Sequence, residues 1–361
     1  MKKPTELKKI GLFTDIHHGR RSNSKVHNQD CLDFIDWFCD QVKTAGDYTH
    51  LAFLGDWFES RAAINIETME YSYEGLKKLN DLGLPVFFVV GNHDLHRRTT
   101  RELHSVRIFN ELSNFQVIDR PIVIDNCLFS PFLFDSEYAE IVKYNDLYAF
   151  FGHFEFKNFV ITGYNTIMDH GPSHKIFSGP KKIFSGHFHK RQAQDNVHYI
   201  GSAFPADFGD ADDYSRGMCT YHVQANKVEY TDWPECPSYY KTSLSKIISG
   251  SVKLRSKMKV KCLIDSDISY SEAQEIREMM IENFKLRDFV LEEDRAAKQG
   301  LLEGDGIKIT DESFLKFDGI DDLVIKQLEL AKGDKNVKID VNKLIKIYKD
   351  LPNEVTENTE D

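Results

Sequence analysis

"VFFVVGNHD", residues 86 to 94, is apolar for five residues, breaks at Gly91, and then sets an amide, an imidazole and a carboxylate side by side. Successive side chains of a strand point to opposite faces. Asn92, His93 and Asp94 therefore cannot work together from inside a strand, and they read as a turn at the end of a buried one, with Gly91 permitting the turn. Four other stretches have the same form: "IGLFTD" (10–15), "LAFLGD" (51–56), "YAFFGH" (148–153) and "IFSGH" (183–187). Each is a short apolar run of the kind buried on both faces of a sheet. Between the first two, "CLDFIDWFCDQV" (31–42) puts Leu32, Ile35, Phe38, Cys39 and Val42 at helical spacing. Between the second and third, Met69, Tyr73, Leu76 and Leu79 share one helical face, and Gly83 suits a helix stop. This alternation predicts an α/β layered domain over residues 1–235, with "CLFSPFLF" (127–134) and "GMCTYHV" (217–223) as further strands.

The character changes after residue 235. "CPSYYKTSL" (236–244) reads as a linker. "MKVKCLIDSD" (258–267) and "RDFVLEED" (287–294) read as strands around a helix "SEAQEIREMMIENF" (271–284), with a capping box of Ser271 and Gln274. That βαβ unit suggests a small domain over 243–300. Two amphipathic helices are expected within 310–352, packed on the main body or docked on a partner. The acidic tail 353–361 reads as disordered.

The chain has 361 residues, enough for two or three domains, and its 41% hydrophobic content is globular. The basic start "MKKPTELKK" is followed only by "IGLF", short of the roughly 7–15 apolar residues of a secretory leader. No stretch reaches the roughly 18 needed to span a bilayer. The expectation is a soluble, cytoplasmic protein without a membrane partner. Six scattered cysteines form no CxxC pair, which disfavours a zinc ribbon, and they read as small buried hydrophobes. A net charge of −11 argues, taken alone, against a polyanionic partner.

The apolar runs all end in metal-capable residues: Asp15 and His17; Asp56; Asn92 with His93 and Asp94; His153; His187 and His189. In α/β sheets ligands gather beyond the carboxyl ends of the strands. Singly, a GD or GH after a strand is mostly turn chemistry. The ordered series D-x-H, GD, GNHD, GH, GHxH is far more specific. Asp15, His17, Asp56, Asn92, His153, His187 and His189 offer O and N donors and no thiolate, which suits Mn, Fe or Zn rather than Cu(I) or an iron–sulfur cluster. Seven donors are too many for one ion and fit two, with Asp56, alone on its strand, as the candidate bridge. His18, His27, His50, His104, His170, His174, His198 and His222 read as surface or turn residues.

This series resembles the calcineurin-like metallophosphoesterase superfamily and, within it, the SbcD-type nuclease subunit of the double-strand-break repair complex in its bacterial and phage form. The resemblance implies a layered, β-sandwich-like α/β core flanked by helices. It also implies a small α+β capping, DNA-binding domain and C-terminal helices that dock on an ATPase. It assigns Asp15, His17, Asp56 and His189 to one metal and Asp56, Asn92, His153 and His187 to the other. The two divalent ions are Mn2+ in the first place, with Mg2+, Fe2+ or Zn2+ as the other options. His93 is implied to face the scissile phosphate, and Asp94 to orient His93. The implied activity is exonuclease or endonuclease cleavage of DNA ends in recombination, repair and replication. The implied assembly is a homodimer within a heterotetramer with an SbcC-type, SMC-like ATPase, in a bacterial cytoplasm or that of a phage host.

One position departs from the pattern: Glu59 stands where many relatives carry a histidine thought to direct the substrate strand. "GDWFESR" and "GNHD" differ from the GDxxDRG and GNHE of phosphoprotein phosphatases. Arg20, Arg21, Arg61, Arg97, Arg98, Lys190 and Arg191 follow the metal motifs closely. They read as a rim for a polyanion's phosphates, with His96 as a further substrate contact. A small-substrate phosphodiesterase and a non-catalytic scaffold are the alternatives.

Overall fold

The five apolar runs become strands that end at one edge of the fold, but they lie in two sheets. They are β1 (Lys9–Phe13), β2 (His50–Phe53), β3 (Val86–Val89), β4 (Ala149–Gly152) and β5 (Lys182–Ser185). The computed structural model describes residues 6–97, 99–161, 166–266 and 268–293, together with Lys343. The first sheet runs in the order Lys227–Asp232, Gly217–His222, β1, β2, β3, Phe115–Ile118. The second runs Gln192–Gln194, Val197–Tyr199, β5, β4, Cys127–Ser130, Ile122–Ile124. Within each sheet the motif-bearing strands are parallel, so their carboxyl ends share an edge.

Period-two alternation explains why these runs carry no polar face. Ile10, Leu12, Ala52, Leu54, Phe87 and Val89 point into the space between the sheets and meet Phe129, Phe151 and Phe184 of the second sheet. Phe87 and Phe129 lie 4.4 Å apart between ring centroids. The intervening Phe13, Phe53 and Phe88 point the other way, onto helices α1 (Lys25–Ala45) and α2 (Ile66–Asp81). Each fully buried aromatic of this kind contributes about 1.5–3 kcal/mol. Helix α1 starts at Ser24, whose side chain accepts from the His27 N–H, and ends at Gly46 in the left-handed region. Asn65 caps α2 by accepting from the N–H groups of Glu67 and Thr68. A layered sandwich flanked by helices is thus the observed α/β architecture.

The smaller unit differs from its expected form in two respects. Residues 238–243, expected within a linker, form a strand, Ser238–Ser243, parallel to Met258–Ile264, which in turn pairs with Asp288–Glu293. Its local signal is weak because it is an edge strand with a polar side, and only the partner strand supplies its hydrogen bonds. The helix spans Tyr270–Phe284, and its capping box is Ser269 with Glu272 rather than Ser271 with Gln274. Both pairs fit the spacing. Leu286 and Phe289 join Met258, Val260 and Cys262 in a separate core. This unit is tied to α1 by a bidentate Arg287–Asp30 pair and by Lys257 at 3.4 Å from Asp33.

All six cysteines are free and buried. Among the described residues no helix is long and apolar enough to cross a membrane. Apart from Lys343, the helices expected in 310–352 lie outside the described residues, as do the tail 353–361, residues 294–300 and Arg98.

Candidate metal centre

The strand ends turn sharply. Asp15, His17, Asp56 and His187 all take positive φ, at 51°, 51°, 63° and 86°. For residues other than glycine this conformation costs about 1–2 kcal/mol each, a strain that persists only where the surroundings over-determine it. Here the Asp15 N–H donates to the Gly55 carbonyl at 3.0 Å and the His17 N–H to the Asp56 carbonyl at 3.2 Å, locking the first two turns together. Two glycines are required by space. A Cβ on Gly91 would overlap the Asp56 carboxylate and backbone, and one on Gly55 would overlap the His153 ring. Gly91 has no positive φ; its part is close approach, not the turn itself.

The turns bring all seven expected donors together. His17 Nε2 lies 3.1 Å from His189 Nε2, and each is within 3.8–3.9 Å of Asp15 Oδ1. On the other side, Asn92 Oδ1 is 2.9 Å from His153 Nε2 and 3.1 Å from His187 Nδ1. Asp56 stands between the halves. Its Oδ1 accepts the His93 N–H at 2.8 Å, while its Oδ2 is 3.8 Å from His17 Nε2 and 3.4 Å from His153 Nε2. The Asp15 carboxylate accepts from the Thr14 hydroxyl and the His187 N–H.

The outer faces of the ligands fix their tautomers. His153 Nδ1 donates to the Leu54 carbonyl at 2.7 Å, so Nε2 is the ring nitrogen turned toward Asp56 and Asn92. His187 turns the other way: its Nε2 meets Glu155 Oε2 at 2.8 Å and its Nδ1 faces inward. Burial pushes Asp15 up, with the nearby Asp56 adding to the rise. Burial acts against ionised Asp56 too, but His153 holds it well below the usual carboxylate range. Desolvation opposes charge on His153, but Asp56, Asp15 and the Leu54 carbonyl together outweigh it and raise the ring to about 9. Two buried carboxylates among four imidazoles call for compensating positive charge, and this O and N donor set fits divalent metal ions.

His93 sits at the edge of the cluster, edge-on to His17 with ring centroids 4.9 Å apart. Asp94 does not orient it. The Asp94 carboxylate accepts instead from the backbone N–H groups of Gly91, Asp56, Trp57 and Phe58, at 2.9–3.3 Å, and so shapes the turn that carries Asp56. The partner of His93 is the Glu59 carbonyl, 2.9 Å from its Nδ1. A short acidic side chain next to backbone N–H groups satisfies them before it can reach a neighbouring ring.

Several participants went unnoticed in the sequence. Glu155 lies two residues past His153, a spacing that shares a face on extended chain, so a signal existed. Arg216 is fully buried and donates to the His189 carbonyl, the Ser202 hydroxyl, Asp210 and Asp213. Nothing local distinguishes that single arginine. Of the histidines expected at the surface, His18, His27, His50, His104 and His174 are buried. His27 Nε2 reaches the His17 carbonyl at 2.9 Å and so supports the first turn. Burial pushes His18, against Trp57, down to about 3.

The expected rim is partly engaged. Arg20 lines a cleft with His187 and His189, and donates to Asp207 at 3.1 Å. Arg191 pairs with Asp232 at 2.7 Å and lies over the Tyr230 ring. Arg21 lies over the Tyr239 ring at 4.9 Å. His96 and Arg97 are exposed, with His96 Nδ1 3.3 Å from the Arg61 carbonyl. Arg61 and Lys190 are half-buried.

Residues 8–207 match the family model described as calcineurin-like phosphoesterase. Exonuclease subunit 1 of Enterobacteria phage T4 is 29% identical over 230 residues, covering 62% of this chain and 67% of that protein. Among solved structures, a dimetal phosphatase from Danio rerio aligns at 10% identity and a TM-score of 0.37, covering 61% of this chain and 93% of the other. The Pseudomonas putida nuclease MPE aligns at 15% identity and 0.30, with coverages of 61% and 87%. The matched span takes in all seven donors from Asp15 to His189 and more than half of the chain, so the chain belongs to the calcineurin-like metallophosphoesterase family.

Proposed function

We propose that this chain is a two-metal nuclease that hydrolyses phosphodiester bonds of DNA as one subunit of a larger assembly. The observation that carries the reading is the convergence of seven O and N donors around Asp56 with His93 at their edge. It occurs in a chain related to Exonuclease subunit 1. Asp15, His17, Asp56 and His189 would hold one ion, and Asp56, Asn92, His153 and His187 the other. When bound, the ions supply Lewis acidity at the phosphoryl oxygens and lower the pKa of water so that it attacks near neutral pH.

The chain's own groups do the rest. Asp15 and Asp56 bring negative charge that the ions neutralise, and their second contacts prevent them from rotating. His93, with Nδ1 committed to the Glu59 carbonyl, presents Nε2 to the phosphate. Burial lowers its pKa, so a protonated His93 readily gives up its proton. The attacking water gives up one proton to solvent, its oxygen bonds to phosphorus as the bond to the leaving oxygen breaks, and the proton on His93 Nε2 passes to that leaving oxygen. The metal is proposed to be Mn2+, and residues 243–300 to be a DNA-binding cap. Residues 310–352 are proposed to dock on an SMC-like ATPase, in an assembly built on a homodimer in the bacterial or host cytoplasm.

A small phosphodiester is a second reading. Ile161, Met168 and Phe188 line the cleft beside His187 and His189, and Asp207 and Asp232 occupy two of the rim arginines. Assays of the purified chain in Mn2+ on end-labelled duplex and hairpin DNA, beside a chromogenic phosphodiester, separate the two. Cleavage of DNA supports the nuclease; hydrolysis of the small ester alone replaces it.

A further inference from the structure

Two carboxylates lie just outside the donor cluster, one against each half. Glu59 Oε2 is 2.9 Å from His17 Nδ1, within ion-pair distance, and neither atom has a well-aligned hydrogen-bond partner among the described residues. Glu155 Oε2 is 2.8 Å from His187 Nε2, on the opposite side of Asp56. The two contacts use different ring nitrogens. His17 thereby keeps its Nε2 for Asp15, Asp56 and His189, while His187 keeps its Nδ1 for Asn92. An imidazole whose outer N–H is held by a carboxylate has a fixed tautomer, a fixed ring plane and a more basic inner nitrogen.

We infer that Glu59 and Glu155 are positioning residues with separate duties. Glu59 sets His17, and so the affinity of the half built on Asp15, His17 and His189. Glu155 sets His187, and so that of the half built on Asn92 and His153. This rests on the two-ion reading of the site. It also gives Glu59 a role of its own: it acts on a ligand. Its contact with Arg20, at 4.0 Å, extends the same arrangement toward the cleft.

The test counts ions without using DNA. Mn2+ is titrated into the full chain, and the unbound ion is followed by its electron paramagnetic resonance signal. The wild type should take up two ions. Glu59→Ala and Glu155→Ala should each weaken one of the two binding steps about 10–100-fold and leave the other unchanged, and the double variant should weaken both. Glu59→Gln and Glu155→Gln keep an acceptor oxygen, so they should recover most of the affinity. If an alanine variant fails to fold by circular dichroism, Glu59→Ser and Glu155→Ser take its place, with the same weakening expected. Unchanged affinity in the single variants overturns the inference, as does equal weakening of both steps by either one. A wild type that binds fewer than two ions defeats the two-ion reading instead.

Discussion

His93 touches no expected metal ligand through its ring nitrogens, so its loss should separate binding from chemistry. His93→Ala is expected to bind Mn2+ as the wild type does and to cleave about 10²–10⁴-fold more slowly, measured as kcat on DNA with parallel metal titration. Arg216 presents the opposite case, a fully buried residue central to the scaffold. Arg216→Met removes the charge that balances buried Asp210 and the donor to the His189 carbonyl. It should destabilise the chain by about 3–5 kcal/mol, read from urea unfolding. His18 gives a pH signature. Its folded pKa of about 3 lies below the ordinary value near 6.5, so between those limits the unfolded chain binds the extra proton. Its contribution is complete above about pH 6.5 and falls as pH drops, by up to about 1.4 kcal/mol per unit. His18→Leu should therefore flatten the fall of stability between pH 6.5 and 5; an unchanged slope would contradict a neutral buried ring.

At the level of elements, the left-handed strand ends explain why the site sits where it does. Ladder hydrogen bonds hold β1, β2 and β5 straight to their ends, and the turns at Asp15, Asp56 and His187 then spend stability to aim side chains inward. The smaller unit offers a direct check of its helix start. Ser269→Ala should cost about 1 kcal/mol in the thermal stability of that unit, whereas Ser271→Ala should cost less than about half as much. The reverse order would restore the capping box expected from spacing alone. Both serines have an acceptor three residues on, and the backbone path, not the motif, chooses between them.

At the level of the whole molecule, metal and stability are coupled, because an ion that binds only the folded donor set stabilises it by mass action. Mn2+ at about 100 times its Kd should add about 2.7 kcal/mol per site, seen as a rise in Tm that a chelator reverses. Removing residues 310–361 should leave basal nuclease activity intact and abolish co-purification with an ATPase subunit. Retained association would place the docking surface elsewhere.

The motif-bearing strands, the two helices of the first sheet and the seven polar side chains that converge were legible in the amino-acid order, because each depends on neighbours in the chain: apolar runs, helical spacing and the residue that follows a strand; short strands such as Phe115–Ile118, Gln192–Gln194 and Lys227–Asp232 lie outside those patterns. Nothing of that kind specifies which sheet a strand joins, so the split of five runs between two sheets came only from packing. The same holds for Asp94, whose nearest neighbour in sequence is His93 but whose hydrogen bonds go to the Asp56 turn. It holds for Glu155 and Arg216, which matter through contacts with His187 and the His189 carbonyl. The edge strand Ser238–Ser243 exists through its pairing with Met258–Ile264. The sequence by itself determined the local elements and the chemistry of the donors. Tertiary structure decided which backbone and side-chain groups satisfy one another at long range, since burial leaves each polar group to find its partner wherever the chain returns.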